Sequence, residues 1–141
     1  MEIPTSFYFK SPELDELCQR GCVACIRGGD ISDQTNVFET YGRELKAPNG
    51  YFGENWNAFN DCLLDLDWIS EFDVYIVHFD LPCLERSEMV DYLEILEHAV
   101  KTWMDEKTKE LCQLHSDFVP HRLVVFFPEE AEQEVLSYLS S

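Results

Sequence analysis

Three short apolar runs constrain this chain more than anything else in it. Cys22-Val-Ala-Cys-Ile26, Phe72 to Phe79 and Arg122-Leu-Val-Val-Phe-Phe127 are brief and rich in β-branched and aromatic residues, and they stay apolar at successive positions instead of alternating. Strands read this way when helices cover both faces of their sheet. The segments between them switch to a helical period. Val37, Phe38, Tyr41 and Leu45 form one stripe, which Ser32 or Asp33 can cap and Pro48-Asn49-Gly50 ends. Asn55 is a plausible N-cap for the next helix, with Trp56, Phe59, Cys62, Leu63 and Leu66 on one side. Ser87 opens a long helix through Met89, Leu93, Leu96, Val100, Trp103 and Met104, fading into Lys107-Thr108-Lys109. The order β-α-α-β-α-β predicts an α/β fold with a small three-stranded parallel sheet and right-handed crossovers. Extra elements flank it: an extended piece at Phe7-Tyr8-Phe9 with a short helix through Leu14, Leu17 and Cys18, and a terminal helix over 129–139 after Pro128. At 141 residues, the expectation is one domain over 1–141.

Charge narrows the function. Twenty-eight acids against 10 bases leave a net charge of −18, far beyond what solubility asks of a small domain. Such a surface repels nucleic acid, because phosphate contacts need Lys or Arg, and it attracts basic proteins. The acids are also unevenly placed. From Ala47 to Leu84 there is no Lys or Arg, yet Glu54, Asp61, Asp65, Asp67, Glu71, Asp73 and Asp80 all fall inside. A solvated face usually mixes its signs.

The cysteines offer a metal site or a disulfide framework as rivals to plain packing. Cys22-x-x-Cys25 lies in a strand, where odd spacing sends the thiols to opposite faces. No second Cys-x-x-Cys or His-x-x-x-His completes a tetrahedral set. Cys18, Cys22, Cys25, Cys62, Cys83 and Cys112 therefore read as free thiols acting as small hydrophobes, and no metal or cofactor is expected. His78, His98, His115 and His121 are scattered, and no Gly-rich phosphate loop, Gly-x-Ser-x-Gly or His-Glu-x-x-His appears. The chain reads as non-enzymatic. No apolar run is long enough to span a bilayer. Met1-Glu2-Ile3-Pro4 has neither the basic nor the apolar region of a secretory signal, so the expected location is cytoplasmic.

One segment is specific enough to compare. Tyr51-Phe52-Gly53-Glu54-Asn55-Trp56-Asn57-Ala58-Phe59-Asn60-Asp61-Cys62-Leu63 resembles the signature of the barstar family, inhibitors of ribonucleases such as barnase. Upstream Ile31-Ser32-Asp33 and Glu44-Leu45 and the strand that follows extend the likeness over about 22–127. The resemblance implies a mechanism in which a loop and the second helix plug a ribonuclease active site, and a helix aspartate replaces a substrate phosphate. That aspartate corresponds to Asp61, the contact tyrosine to Tyr51, and the loop-shaping asparagine to Asn55. Where the family pattern has a second aspartate, an exposed tryptophan and a small polar residue, this chain has Asn57, Asn60 and Leu64. Asp65 and Asp67 restore negative charge nearby, which suggests a retuned partner.

The expected partner-binding set is Tyr51, Asn55, Asn57, Asn60, Asp61, Leu64 and Asp65, with Asn57, Asp61, Leu64 and Asp65 on the outer face of the second helix. The expected partner is a basic ribonuclease or ribonuclease-like toxin, bound by a monomeric immunity protein of bacterial type. Plainer roles stay open: Asp61 as a solvated acid, Tyr51 as a cover for the core, Asn55 as a cap. The acids of the long helix, Glu94 and Glu97 among them, read as solvated, with the alternative left open that one of them faces the partner. The alternative function is an acidic mimic of nucleic acid that binds a basic protein other than a nuclease.

Overall fold

Parallel pairing of the apolar runs is what the computed structural model shows, over residues 7–105, 110 and 119–140. β2 (Cys22–Ile26), β3 (Asp73–His78) and β4 (Arg122–Phe127) lie side by side, with Cys22 opposite Val74 and Val74 opposite Leu123. The sheet has four strands, not the expected three. β1 (Tyr8–Phe9) adds in parallel to the far side of β4, giving the order β1-β4-β3-β2. Ring contacts hold this two-residue strand. Phe7 and Phe9 lie 5.1 and 6.1 Å from the Phe127 ring, and Tyr8 lies 5.6 Å from Phe126. Aromatic pairing of this kind leaves no periodic trace in so short a segment.

Alternation along each strand divides two cores. Ala24, Ile26, Val74, Ile76, Leu123, Val125 and Phe127 face a large front cluster. It is covered by α2 (Gln34–Glu44), α3 (Trp56–Leu63), α4 (Arg86–Met104) and α5 (Glu132–Leu139). Val23, Tyr75, Val77, Val124 and Phe126 face the back, where Leu14 and Leu17 of α1 (Leu14–Arg20) complete a small cluster. Both faces are covered, which is why the strands read as unbroken apolar runs. Glu44 accepts the Cys25 N–H at 3.0 Å and so occupies part of the open edge of β2.

Element ends differ slightly from the sequence reading. Asp33, not Ser32, caps α2, its side chain accepting from the Asn36 N–H at 2.9 Å. α4 starts one residue before Ser87, after Glu85. A 3-10 turn over Glu129–Ala131 precedes α5. Lys107-Thr108-Lys109, Cys112 and His115 lie outside the described residues. Cys22 packs toward the front core, and burial pushes the Cys22 and Cys25 thiols up. Among the described residues no cluster of His, Cys, Asp and Glu could hold a metal, and no helix is long and apolar enough to cross a membrane.

A polar relay sits inside the front core. The His78 Nδ1 lies 2.9 Å from the Phe126 carbonyl, which can only accept, so this nitrogen carries the proton. The bare Nε2 then accepts from the Tyr92 hydroxyl at 2.6 Å, and Tyr92 accepts from Tyr41 at 2.7 Å. Burial lowers the His78 pKa from 6.5 to about 3, so the ring is neutral.

Candidate functional site

The site begins with a loop that the backbone anchors tightly. Gly53 has φ +105°, a left-handed value that favours glycine, and a Cβ there would stand 2.7 Å from the Phe59 nitrogen. Gly42 of α2 has no room for a side chain either, because the Gly50 carbonyl lies against it. The chain alternates between these two points. Phe52 turns inward, 5.6 Å from the rings of both Tyr41 and Phe59. Tyr51 turns outward and is 51% exposed.

Asn55 then ends the loop in extended conformation, and its Oδ1 accepts the Ala58 N–H at 2.8 Å, capping α3. Phe59 and Leu63 are fully buried beneath the helix. Trp56 and Cys62 pack partly against the same core. Asn57 and Asp61 are exposed, one helical turn apart on the outer face. Asp61 and Asp65 form no ion pair with any cation among the described residues.

The remaining candidates fall away from that line. Asn60 is only partly exposed, and its Oδ1 is buried without a hydrogen-bond donor. Leu64 is the C-cap, partly exposed and packed partly against the core. Asp65 lies beyond the helix end and is exposed. Partial burial and the neighbouring Asp67 push its carboxyl up. Two buried side chains fix this corner. The Trp103 indole N–H donates to the Leu63 carbonyl at 2.9 Å, and His121 bridges the Leu66 and Glu71 carbonyls at 2.8 and 2.9 Å.

A cleft of about 460 Å³ opens between α3 and α4, lined by Trp56, Asn57, Asn60, Asp91, Glu94, Ile95 and His98. Asp91 and Glu94 are not among the residues expected to bind a partner, and both are exposed on α4. Their one-turn spacing matches that of Asn57 and Asn60, a signal legible only once the two helices are known to be neighbours. Glu97 turns elsewhere, 3.4 Å from Lys101. A smaller groove of about 300 Å³ lies on the other side of the loop, between Thr35 and Glu39 of α2 and Tyr51 and Glu54.

Tyr51, Asn57 and Asp61 thus stand on a rigid, capped support, with further carboxylates on both flanks. The family model described as Barstar (barnase inhibitor) matches residues 22–115, most of the chain. The chain belongs to the barstar family. Comparisons with curated proteins and with solved structures give no match. The matched span takes in β2, α2, the Tyr51 loop, α3, β3 and α4, and stops before β4. β1, α1 and α5 lie outside it, so the barstar-type span contains every candidate residue above. At the level of the family, the function is inhibition of barnase-type ribonucleases.

Proposed function

We propose that this barstar-family chain blocks a ribonuclease toxin by plugging its basic active site with the Tyr51 loop and α3. The carboxylate of Asp61 takes the place of an RNA phosphate. An enzyme that binds RNA must present Arg, Lys or His donors to the phosphates, and a fixed carboxylate meets the same donors through charge-assisted hydrogen bonds. Tyr51 supplies an aromatic anchor of the kind that dominates interface energetics. The observation that carries the reading is Asp61 itself: exposed on a capped helix and unpaired among the described residues. Asn55 acts through the loop, as a cap, and Asn57, Asn60 and Asp65 surround the contact. Leu64 contributes through the core beneath.

The chain acts by occupancy, as a cytoplasmic immunity protein, with one domain over 1–141 and no chemistry of its own. The test is a titration into barnase-type ribonucleases, including any encoded beside this chain. Activity of the cognate enzyme falls linearly and vanishes at one equivalent. Binding to a basic protein without loss of any nuclease activity favours the nucleic-acid mimic instead.

A further inference from the structure

Behind the sheet a groove of about 440 Å³ runs along β4, between α1 and the chain that follows β1. Of its lining residues only Tyr75 lies inside the span 22–115 that the family model matches. Its charge departs from that of the whole chain. Lys10, Arg20 and Arg122 line it against Glu13 and Glu16, in a chain of 10 bases and 28 acids. Glu16 and Asp73 hold Arg20 and Arg122 in place, each through one nitrogen at 2.7 Å. A guanidinium has five N–H donors, so both keep donors for an incoming carboxylate. Lys10 forms no ion pair among the described residues. These bases stand at two ends. Arg122 and Phe126 are separated by roughly 13 Å along β4, with Val124 midway on the same side. Arg20 shares the Arg122 end, because Gly21 after it lies against the carbonyl of Asp73, which pairs with Arg122. Lys10 shares the Phe126 end, 5.9 Å from the ring of Tyr8, which pairs with Phe126. Between the ends lie Val124, half-buried, and Tyr8, 52% exposed.

We propose that this groove docks an extended acidic peptide segment of a partner protein, with two carboxylates four residues apart and an apolar side chain midway. The spacing dictates the pattern. In an extended chain the first, third and fifth residues share a face, and the first and fifth stand roughly 13 Å apart. Two carboxylates so placed meet the Arg20–Arg122 end and the Lys10 end, and the side chain between them rests on Val124 and Tyr8. A membrane or an RNA is also anionic, but it spreads phosphate far beyond the groove, where the remaining charge of the chain repels it. A short segment keeps its carboxylates within reach of the three bases. The groove lies behind the sheet and α3 in front of it, so the proposal stands apart from the inhibitory reading, and both surfaces can be filled at once.

The test needs no ribonuclease. The full chain, labelled with nitrogen-15, is titrated with the capped peptide Asp-Thr-Phe-Thr-Asp. Two controls are Asn-Thr-Phe-Thr-Asn, which lacks the charge, and Thr-Asp-Phe-Asp-Thr, which keeps the charge but moves the acids to the other face. The first peptide should shift the backbone amides of Lys10, Val124 and Phe126 saturably and leave those of α3 in place. Its affinity should exceed that of the uncharged control about tenfold and that of the displaced control about threefold. Lys10→Ala with Arg20→Ala should weaken it about tenfold. Both side chains are exposed, so the fold should persist, and unmoved front-core amides verify that it does. Equal affinity for the three peptides, shifts spread beyond the groove, or binding that survives the double variant overturns the proposal. Tighter binding of a five-residue oligouridylate overturns it as well, by making the groove a general anion patch. So do groove amides that move with protein concentration but not with peptide, which would mark a second copy of this chain as the occupant.

Discussion

The back of the sheet and the α3 corner in front of it treat charge in opposite ways. Behind it, Arg20 and Arg122 each lie 2.7 Å from a carboxylate, Glu16 and Asp73, and Lys10 sits 5.9 Å from the Tyr8 ring centre. In front, Asp61 and Asp65 are exposed with no cation paired to them among the described residues. The buried support differs as well. α1 rests Leu14 and Leu17 on an apolar patch of Tyr75, Val77 and Phe126. α3 rests on rings that touch the His78–Tyr92–Tyr41 relay, with Phe59 6.2 Å from Tyr92 and 4.9 Å from Tyr41. The net charge of −18 thus includes acids beside α3 that no base of the described residues offsets.

The largest effect expected from that contrast is on binding. Asp61→Ala should weaken the complex by about 4 kcal/mol, because cations of the partner, desolvated in the interface, are left unpaired. The stability of the free chain should barely move, since the side chain is exposed and makes no ion pair among the described residues. Calorimetry and urea unfolding measure the two quantities separately. A binding loss under about 0.5 kcal/mol would take Asp61 out of the interface.

Next in size is an acid response of the front core alone. His78 titrates near 6.5 when unfolded and near 3 when folded. Above pH 6.5 both states hold it neutral and its contribution is fully present. As pH falls, the unfolded state takes up the proton first, so stability drains away toward pH 3. The stability gap between the natural chain and His78→Gln should shrink by about 1.4 kcal/mol per pH unit below 6.5, roughly 3 kcal/mol by pH 4. A constant gap would mean that His78 is not held neutral.

These features differ in how far the sequence announces them. Strands β2, β3 and β4 and the helices between them follow from runs such as Val74 to Val77 and from the Val37–Phe38–Tyr41 spacing, because burial on one or two faces writes a period into the residues. Tyr51 and the caps at Asp33 and Asn55 are legible too, being local backbone chemistry. β1 is legible only as an extended piece; its pairing is not, since Tyr8–Phe9 is held by rings on a strand more than a hundred residues away. The α3–α4 cleft and the partial packing of Leu64 depend on how two helices cross and where one stops, which no single segment records. The relay was hidden for the same reason: His78 stands in an apolar run, but Tyr92 and Tyr41 reach it from separate helices.

Salt should separate the faces more gently. Exposed charges beyond about 8–10 Å are screened at physiological ionic strength. The association rate with the ribonuclease should therefore fall about tenfold between low and high salt, while the dissociation rate changes little. Stopped-flow mixing at several ionic strengths gives both rates. A flat association rate would show that the front acids do not steer the encounter.

The smallest effect is expected behind the sheet, and it is the control that gives the contrast its meaning. Arg20→Ala breaks the exposed pair with Glu16, and Arg122→Ala breaks the pair with Asp73. Exposed ion pairs contribute about 0–1 kcal/mol, so each variant should lose no more than that in urea unfolding. Arg122 should cost the more, because Asp73 is mostly covered, with 19% of its side chain exposed, against 56% for Glu16. Neither change should alter ribonuclease affinity, although each makes the net charge more negative by one. Were binding governed by total charge, removing a base anywhere would strengthen it. Were it governed by the fixed carboxylate of Asp61, bases behind the sheet would be irrelevant. An affinity that rises with Arg20→Ala and Arg122→Ala alike would therefore favour a diffuse acidic field over a docked helix.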